Sequence, residues 1–248
     1  MNPTDEIVVN FCRRYDLLMK EKGYNQLYIM TTGGGMGVSS LAVYPGSSSR
    51  IASIFHPYSM DELWDLVEPV MEVRPEFKTK KEDWRSVHPE SAEIYLAAMK
   101  DSRMQDYFFV ASTAALETTR RRKGKNVSYV ATQANSASPV RVWEILLEKM
   151  EERPVYRSHR DSQGNSITTS PTVDERWNEI FMHDGEINLS MLATCRSLQD
   201  NKISRSILQM ILDDKDFYPA LTDNERITLL FEDGVPVNQV WLEGKYDR

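Results

Sequence analysis

Seven consecutive residues, Thr31-Thr32-Gly33-Gly34-Gly35-Met36-Gly37, constrain the fold of this chain more than any others. They follow the run Gln26 to Met30, which reads as a short buried strand, and lead into an apolar stretch that continues through Tyr44. Glycine alone tolerates the close backbone approaches and unusual dihedral angles of such a junction, so a strand, a glycine loop and a helix are expected in succession. A turn of this kind leaves backbone amides unencumbered at the positive end of a helix dipole, which suits a phosphate or a carboxylate. Neither the dinucleotide-binding fingerprint nor the P-loop is present, because no Lys-Ser or Lys-Thr follows the glycines. Tight packing of helix on strand is the competing reason for the same glycines.

The rest of the chain alternates in the same way. Ile7, Val8, Phe11, Tyr15 and Leu18 recur at helical spacing behind Thr4, a suitable N-cap, and Gly23 ends that helix. After the turn cluster Pro45 to Ser49, a second strand spans Arg50 to Phe55. Ser59 and Glu62 have the spacing of a capping box and open a helix whose apolar stripe is Leu63, Leu66, Val67 and Val70. The charged connection Glu72 to Arg85 is expected to be exposed and mobile near a site. A helix over Pro89 to Met99, strands over Tyr107 to Ala111 and Val127 to Thr132, a helix over Val140 to Met150 and an edge strand over Val155 to His159 follow. Ser162 to Ser170 reads as a surface loop, Thr172 to Leu198 as a helix broken near Gly185, and Ile203 to Leu212 as another helix. Arg226 to Glu232 and Val237 to Leu242, joined by Asp233-Gly234, read as a terminal β-hairpin. The fold class is therefore α/β: a sheet flanked by helices, with further helices and a hairpin at the C-terminus.

Composition excludes several function classes. A net charge of −7 argues against non-specific nucleic-acid binding, which depends on Lys and Arg neutralising phosphates. No apolar run approaches the roughly 20 residues of a membrane span. The first fifteen residues lack the basic start and apolar stretch of a secretory signal, so a cytoplasmic location is expected. Cys12 and Cys195 stand far apart and read as reduced buried thiols, and the four histidines have no mutual metal-ligand spacing. No metal and no cofactor is expected.

Strand ends converge at one edge of an open α/β sheet, so Thr31, Thr32, Ser112 and Thr113 are expected to face a common crevice. His56, beside Tyr58, is the histidine nearest to it and is read as a structural or ligand-contacting group or, alternatively, as a base. Arg120, Arg121 and Arg122 begin a basic run that either meets a phosphate-bearing ligand or decorates a loop. Trp143, Trp177, Phe181 and Met182 read as core.

Taken together, Thr31-Thr32-Gly33-Gly34-Gly35, ten residues, Gly46-Ser47-Ser48, and then Tyr58-Ser59 resemble the CinA C-terminal domain, the nicotinamide-nucleotide amidase family, in particular its Gly-Gly-Gly branch. That family's signature is Ser-Cys-Thr-Gly-Gly followed at the same distance by Gly-Ser-Ser and later by Tyr-Ser. The likeness runs from about Asp5 to Leu198 and implies a CinA-like layered domain over residues 1–199, with 200–248 as a C-terminal helix and hairpin extension. It also implies a homo-oligomer that hydrolyses the carboxamide of nicotinamide mononucleotide. The family's nucleophilic serine falls at Thr31, its lysine falls at Leu63, and two glycines of its third motif fall at Ser112 and Ala115. With serine and lysine both replaced, the preferred expectation is a nucleotide-binding protein for recognition, sensing or sequestration. In it Gly33, Gly34 and Gly35 cradle phosphate or ribose, Thr31, Thr32, Ser47, Tyr58, Ser112 and Thr113 contact the ligand, and Arg120 to Arg122 add positive charge. The alternatives are an active amidohydrolase, with Thr31 as nucleophile and His56 as base, and a scaffold whose C-terminal elements bind a partner.

Overall fold

The computed structural model describes residues 3–101, 106–153, 155–217, 221–222 and 224–244, with the side chains of residues 3–5 left aside, so residues 218–220, 223 and 245–248 of the C-terminal extension lie outside the described residues, and Thr4 falls inside the first helix, Pro3–Lys22, rather than at its N-cap. Its centre is a seven-stranded sheet in the order β11-β10-β5-β4-β3-β1-β2. β1 (Leu27–Thr32) runs parallel to both β2 (Ile51–Phe55) and β3 (Phe108–Ala115), whereas β4 (Asn126–Gln133), β5 (Arg141–Leu147), β10 (Arg226–Glu232) and β11 (Val235–Glu243) continue the sheet as antiparallel neighbours. Helices cover both faces, as the parallel part of such a sheet requires. α1 (Pro3–Lys22), the 3-10 helix Met36–Val43 and α6 (Leu189–Leu212) bury one face around Phe11, Tyr15, Ile29, Val110, Ile203 and Ile207. α3 (Met60–Val73) and α4 (Pro89–Asp101) bury the other around Met30, Val67, Tyr95 and Ala111.

The local reasons for these elements are visible in the chain. The Ser59 side chain accepts from the Glu62 amide and caps α3, a contribution of about 1 kcal/mol, while the Glu62 carboxylate reaches back to the Tyr58 amide. Asp233 and Gly234 both adopt positive φ, 50° and 73°, which matches the turn between β10 and β11 to the right-handed twist of the strands. The α3–α4 connection is not free chain. It folds through a 3-10 turn at Pro75–Phe77 and buries Trp84 edge-on against Trp64 and Tyr95, with ring centroids 5.8 and 5.7 Å apart.

Several expectations are corrected. The segment Val140 to Met150 is strand β5 rather than a helix, because it pairs on both sides, with β4 and β10. Its side chains alternate between the faces, Trp143, Ile145 and Leu147 into one core and Val142 into the other; a short, nearly continuous apolar run does not distinguish the two periods. The expected surface loop at Ser162 to Ser170 contains β7 (Ser166–Thr169), which pairs with β6 (Arg157–Arg160) as an exposed hairpin separate from the main sheet. The apolar stretch to Tyr44 forms a 3-10 helix, followed by the single turn α2 (Ser47–Arg50). α5 (Val173–Phe181) ends where the tiny hairpin β8 (Met182–His183) and β9 (Glu186–Ile187) turns through Asp184 and Gly185, both at positive φ. α6 then runs unbroken to Leu212. Residues 199 and 200, between which the sequence reading divides the chain, both lie within it, and β10 and β11 extend the same sheet.

Candidate functional site

The C-terminal ends of β1 and β3 lie side by side, with Thr31 opposite Ser112 and Thr32 opposite Thr113. Side chains of a strand alternate between its faces. Ile29 belongs to the α6 face and Met30 to the α4 face, so the pleat sends Thr31 and Ser112 towards α6 and Thr32 and Thr113 towards α4. All four are buried. Thr113 donates to the Ser86 carbonyl of the α3–α4 connection at 2.7 Å, so its hydroxyl fastens that connection to the strand end. The strand-end hydroxyls are therefore shared between two faces of the sheet.

The glycine loop is the seat of α6. Gly33 and Gly35 adopt φ of 75° and 85°, which explains two of the glycines by conformation alone. A side chain at Gly34 would come within 2.9 Å of Ile203 Cδ1, and one at Gly35 within 3.1 Å of Ile203 Cγ2 and 3.2 Å of Ile207 Cδ1. The amides that open the 3-10 helix have a partner within the chain: those of Met36 and Gly37 donate to the two carboxylate oxygens of Asp200, at 3.0 and 3.2 Å. An anion does sit at the positive end of this helix, as the motif suggests, but it belongs to α6.

One arrangement here has chemical potential. His56, just beyond β2, is hydrogen-bonded at both ring nitrogens: Nδ1 lies 2.6 Å from Thr31 Oγ1, and Nε2 lies 2.6 Å from Ser39 Oγ on the 3-10 helix. Thr31 is 0% exposed, whereas His56 and Ser39 are half-buried. Ser39 escaped the sequence reading because it sits in an apolar stretch with no motif of its own; only the turn of the 3-10 helix brings it to the imidazole. Leu63, at the position of the family's lysine, is buried in the core beneath α3. Both thiols are free and buried, and burial pushes their pKa values up, which removes Cys12 and Cys195 as nucleophiles.

The remaining expected contacts have local duties. Ser47 donates to the Ala42 carbonyl at 2.9 Å, and Tyr58 is 67% exposed. Arg121 pairs with Asp174 of α5, the Arg122 guanidinium donates to the Leu116 carbonyl while the Arg122 carbonyl accepts from Lys149, and the Arg120 carbonyl accepts from Thr118. Behind this basic run lies a buried polar cluster that the sequence reading missed. Asn126 donates to Glu117 at 2.7 Å, and Lys149 Nζ stands 3.3 Å from Glu151, with all four side chains almost fully enclosed. Burial, reinforced by the charge of Glu117, raises the pKa of the Glu151 carboxyl. A cleft of about 340 Å³ opens beside the α3–α4 connection, lined by Phe77, Lys78, Trp84, Arg85, His88 and Glu90 among others. Among the described residues no group of three His, Cys, Asp or Glu could hold a metal, and no helix is long and apolar enough to cross a membrane.

No protein-family model matches the chain, and no curated protein matches its sequence. Two solved structures are similar to it in fold. The competence or damage-inducible protein from Enterobacter asburiae is 12% identical with a TM-score of 0.46, over 83% of this chain and 96% of that one. The competence/damage inducible protein CihA from Agrobacterium tumefaciens is 15% identical with a TM-score of 0.41, over 80% of this chain and 94% of that one. The likeness is one of fold, and no functional statement follows from it.

Proposed function

We propose that this chain is a hydrolase of a small ligand carrying an amide or ester, with His56 as the group that takes the proton of a neighbouring hydroxyl. The observation that carries the reading is the imidazole held at 2.6 Å by hydroxyls on both nitrogens. A hydroxyl is a weak nucleophile at neutral pH until a base relieves it of its proton, and imidazole is the side chain suited to accept and return a proton in that range. His56 thus fills the role left open where Leu63 replaces lysine. The resemblance to the nicotinamide-nucleotide amidase family supplies the substrate class, a nucleotide-like carboxamide. A homo-oligomeric state comes with the same resemblance, and a cytoplasmic location is in keeping with the two free, buried thiols. A protein that only binds a nucleotide would draw on the glycine-loop amides, and the engagement of Met36 and Gly37 by Asp200 favours the hydrolase over it.

Ammonia release from nicotinamide mononucleotide, alongside hydrolysis of an activated ester such as p-nitrophenyl acetate, tests the reading. His56→Ala is expected to lower the rate by about 10²- to 10⁴-fold with the fold intact. Absence of hydrolysis of either compound by the parent protein, or an undiminished rate in His56→Ala, would refute it.

A further inference from the structure

We infer that Ser39, and not Thr31, is the nucleophile of this site; the inference rests on the hydrolase reading and assigns its reacting atom. Thr31 occupies the motif position of a nucleophile, yet its side chain is fully enclosed between β1, β3 and the elements packed above them, and it carries a methyl beside its hydroxyl. Ser39 presents a primary hydroxyl from the half-buried side of the 3-10 helix, at the same 2.6 Å from the same ring. Of the two hydroxyl residues on the ring, Ser39 keeps exposed surface and Thr31 keeps none.

The ring proton decides which hydroxyl is activated. A neutral imidazole has one N–H and one lone pair, so one of the two hydroxyls accepts from the ring and the other donates to it. With the proton on Nδ1, Thr31 Oγ1 accepts, the ring is oriented, and the Nε2 lone pair faces the Ser39 hydroxyl. With the proton on Nε2, Thr31 donates and Ser39 is left as an acceptor, which disarms it. Thr31 is therefore a positioning residue: in the Nδ1–H tautomer its hydroxyl accepts from the ring and holds Nε2 towards Ser39, the part played by the third member of a nucleophile–base–orienter chain.

The steps balance with water as the only co-reactant. Ser39 Oγ forms a bond to the substrate carbonyl carbon as its proton passes to Nε2, and the carbonyl π pair moves onto oxygen. Return of that pair breaks the bond to the leaving amine or alcohol, which takes the proton from Nε2. Water then attacks the Ser39 ester while giving a proton to Nε2, and collapse frees the acid and restores the Ser39 hydroxyl with that proton.

The test combines rates with covalent capture. Diisopropyl fluorophosphate, whose fluoride is displaced by an activated hydroxyl, is reacted with the parent protein, and the modified residue is read by peptide mass spectrometry. The expected adduct lies on Ser39. Ser39→Ala is expected to lose both adduct and hydrolysis while melting at the parent temperature. Thr31→Ser, which keeps the hydrogen bond, is expected to retain the adduct on Ser39. Ser39→Cys is expected to react with iodoacetamide at a rate that falls at least tenfold when His56→Ala is added. Hydrolysis that survives Ser39→Ala, or an adduct at position 31 in either protein, overturns the assignment while leaving the hydrolase reading standing. A parent protein that neither hydrolyses nor takes the label overturns both.

Discussion

Replacing Gly33 by alanine tests whether the glycine loop is a packing device. Gly33 has φ of 75°, and a Cβ built on it falls 2.3 Å from the Ala114 carbonyl oxygen, which is backbone of β3. The left-handed conformation costs an L-residue about 1–2 kcal/mol. The clash adds about 1–3 kcal/mol, since β3 cannot retreat without disturbing its pairing with β4, where Ala114 lies opposite Ser128. Gly23 supplies the control, because it too has a positive φ, 66°, but nothing lies within 4 Å of its added Cβ. Gly23→Ala should therefore cost about 1–2 kcal/mol and Gly33→Ala about 1–3 kcal/mol more. At this chain length each kcal/mol lowers the melting temperature by about 2–4 °C, so the two variants should differ by roughly 2–12 °C in calorimetry or circular dichroism. Equal melting temperatures would refute the reasoning, since the loop would then have space beside it that the close approach to Ala114 denies.

Asp200→Ala removes the acceptor of two backbone amides at a partly exposed helix start; a loss of about 1–2 kcal/mol, or roughly 2–8 °C in melting temperature, is expected, and an unchanged melting temperature would show those amides to be equally well served by water. Glu151 supplies a pH test. Its carboxyl pKa is raised in the folded state by burial, so the stability it contributes is present below its unfolded value and declines as pH rises through the folded value. Glu151→Gln cannot titrate; its melting temperature relative to the parent protein should therefore rise as pH is raised above the ordinary Glu value of about 4.3. A difference that is flat or falls with pH would contradict the assignment.

Much of this architecture is legible in the amino-acid order because it depends on neighbours a few residues apart. The capping pair Ser59 and Glu62, the Asp233-Gly234 turn and the strand, loop and glycines of residues 26–37 each carry their own local physics, and each forms near its expected place. β5 was hidden because its strand character comes from β4 and β10, partners that are remote in sequence on one side. The site divides along the same line. Thr31, His56 and the glycine loop announce themselves by residue type and spacing, but the role of each is set across distances the sequence does not encode. Asp200, 164 residues beyond Met36, takes the amides that a ligand's anion would have used. Ser39 meets His56 only because a 3-10 helix turns it there. Burial separates Thr31 from Ser39 as candidates for attack, and burial is a property of the assembled layers: the chain specifies which hydroxyls and which imidazole exist, and the packing of α6 and the sheet decides which of them are enclosed and which keep exposed surface.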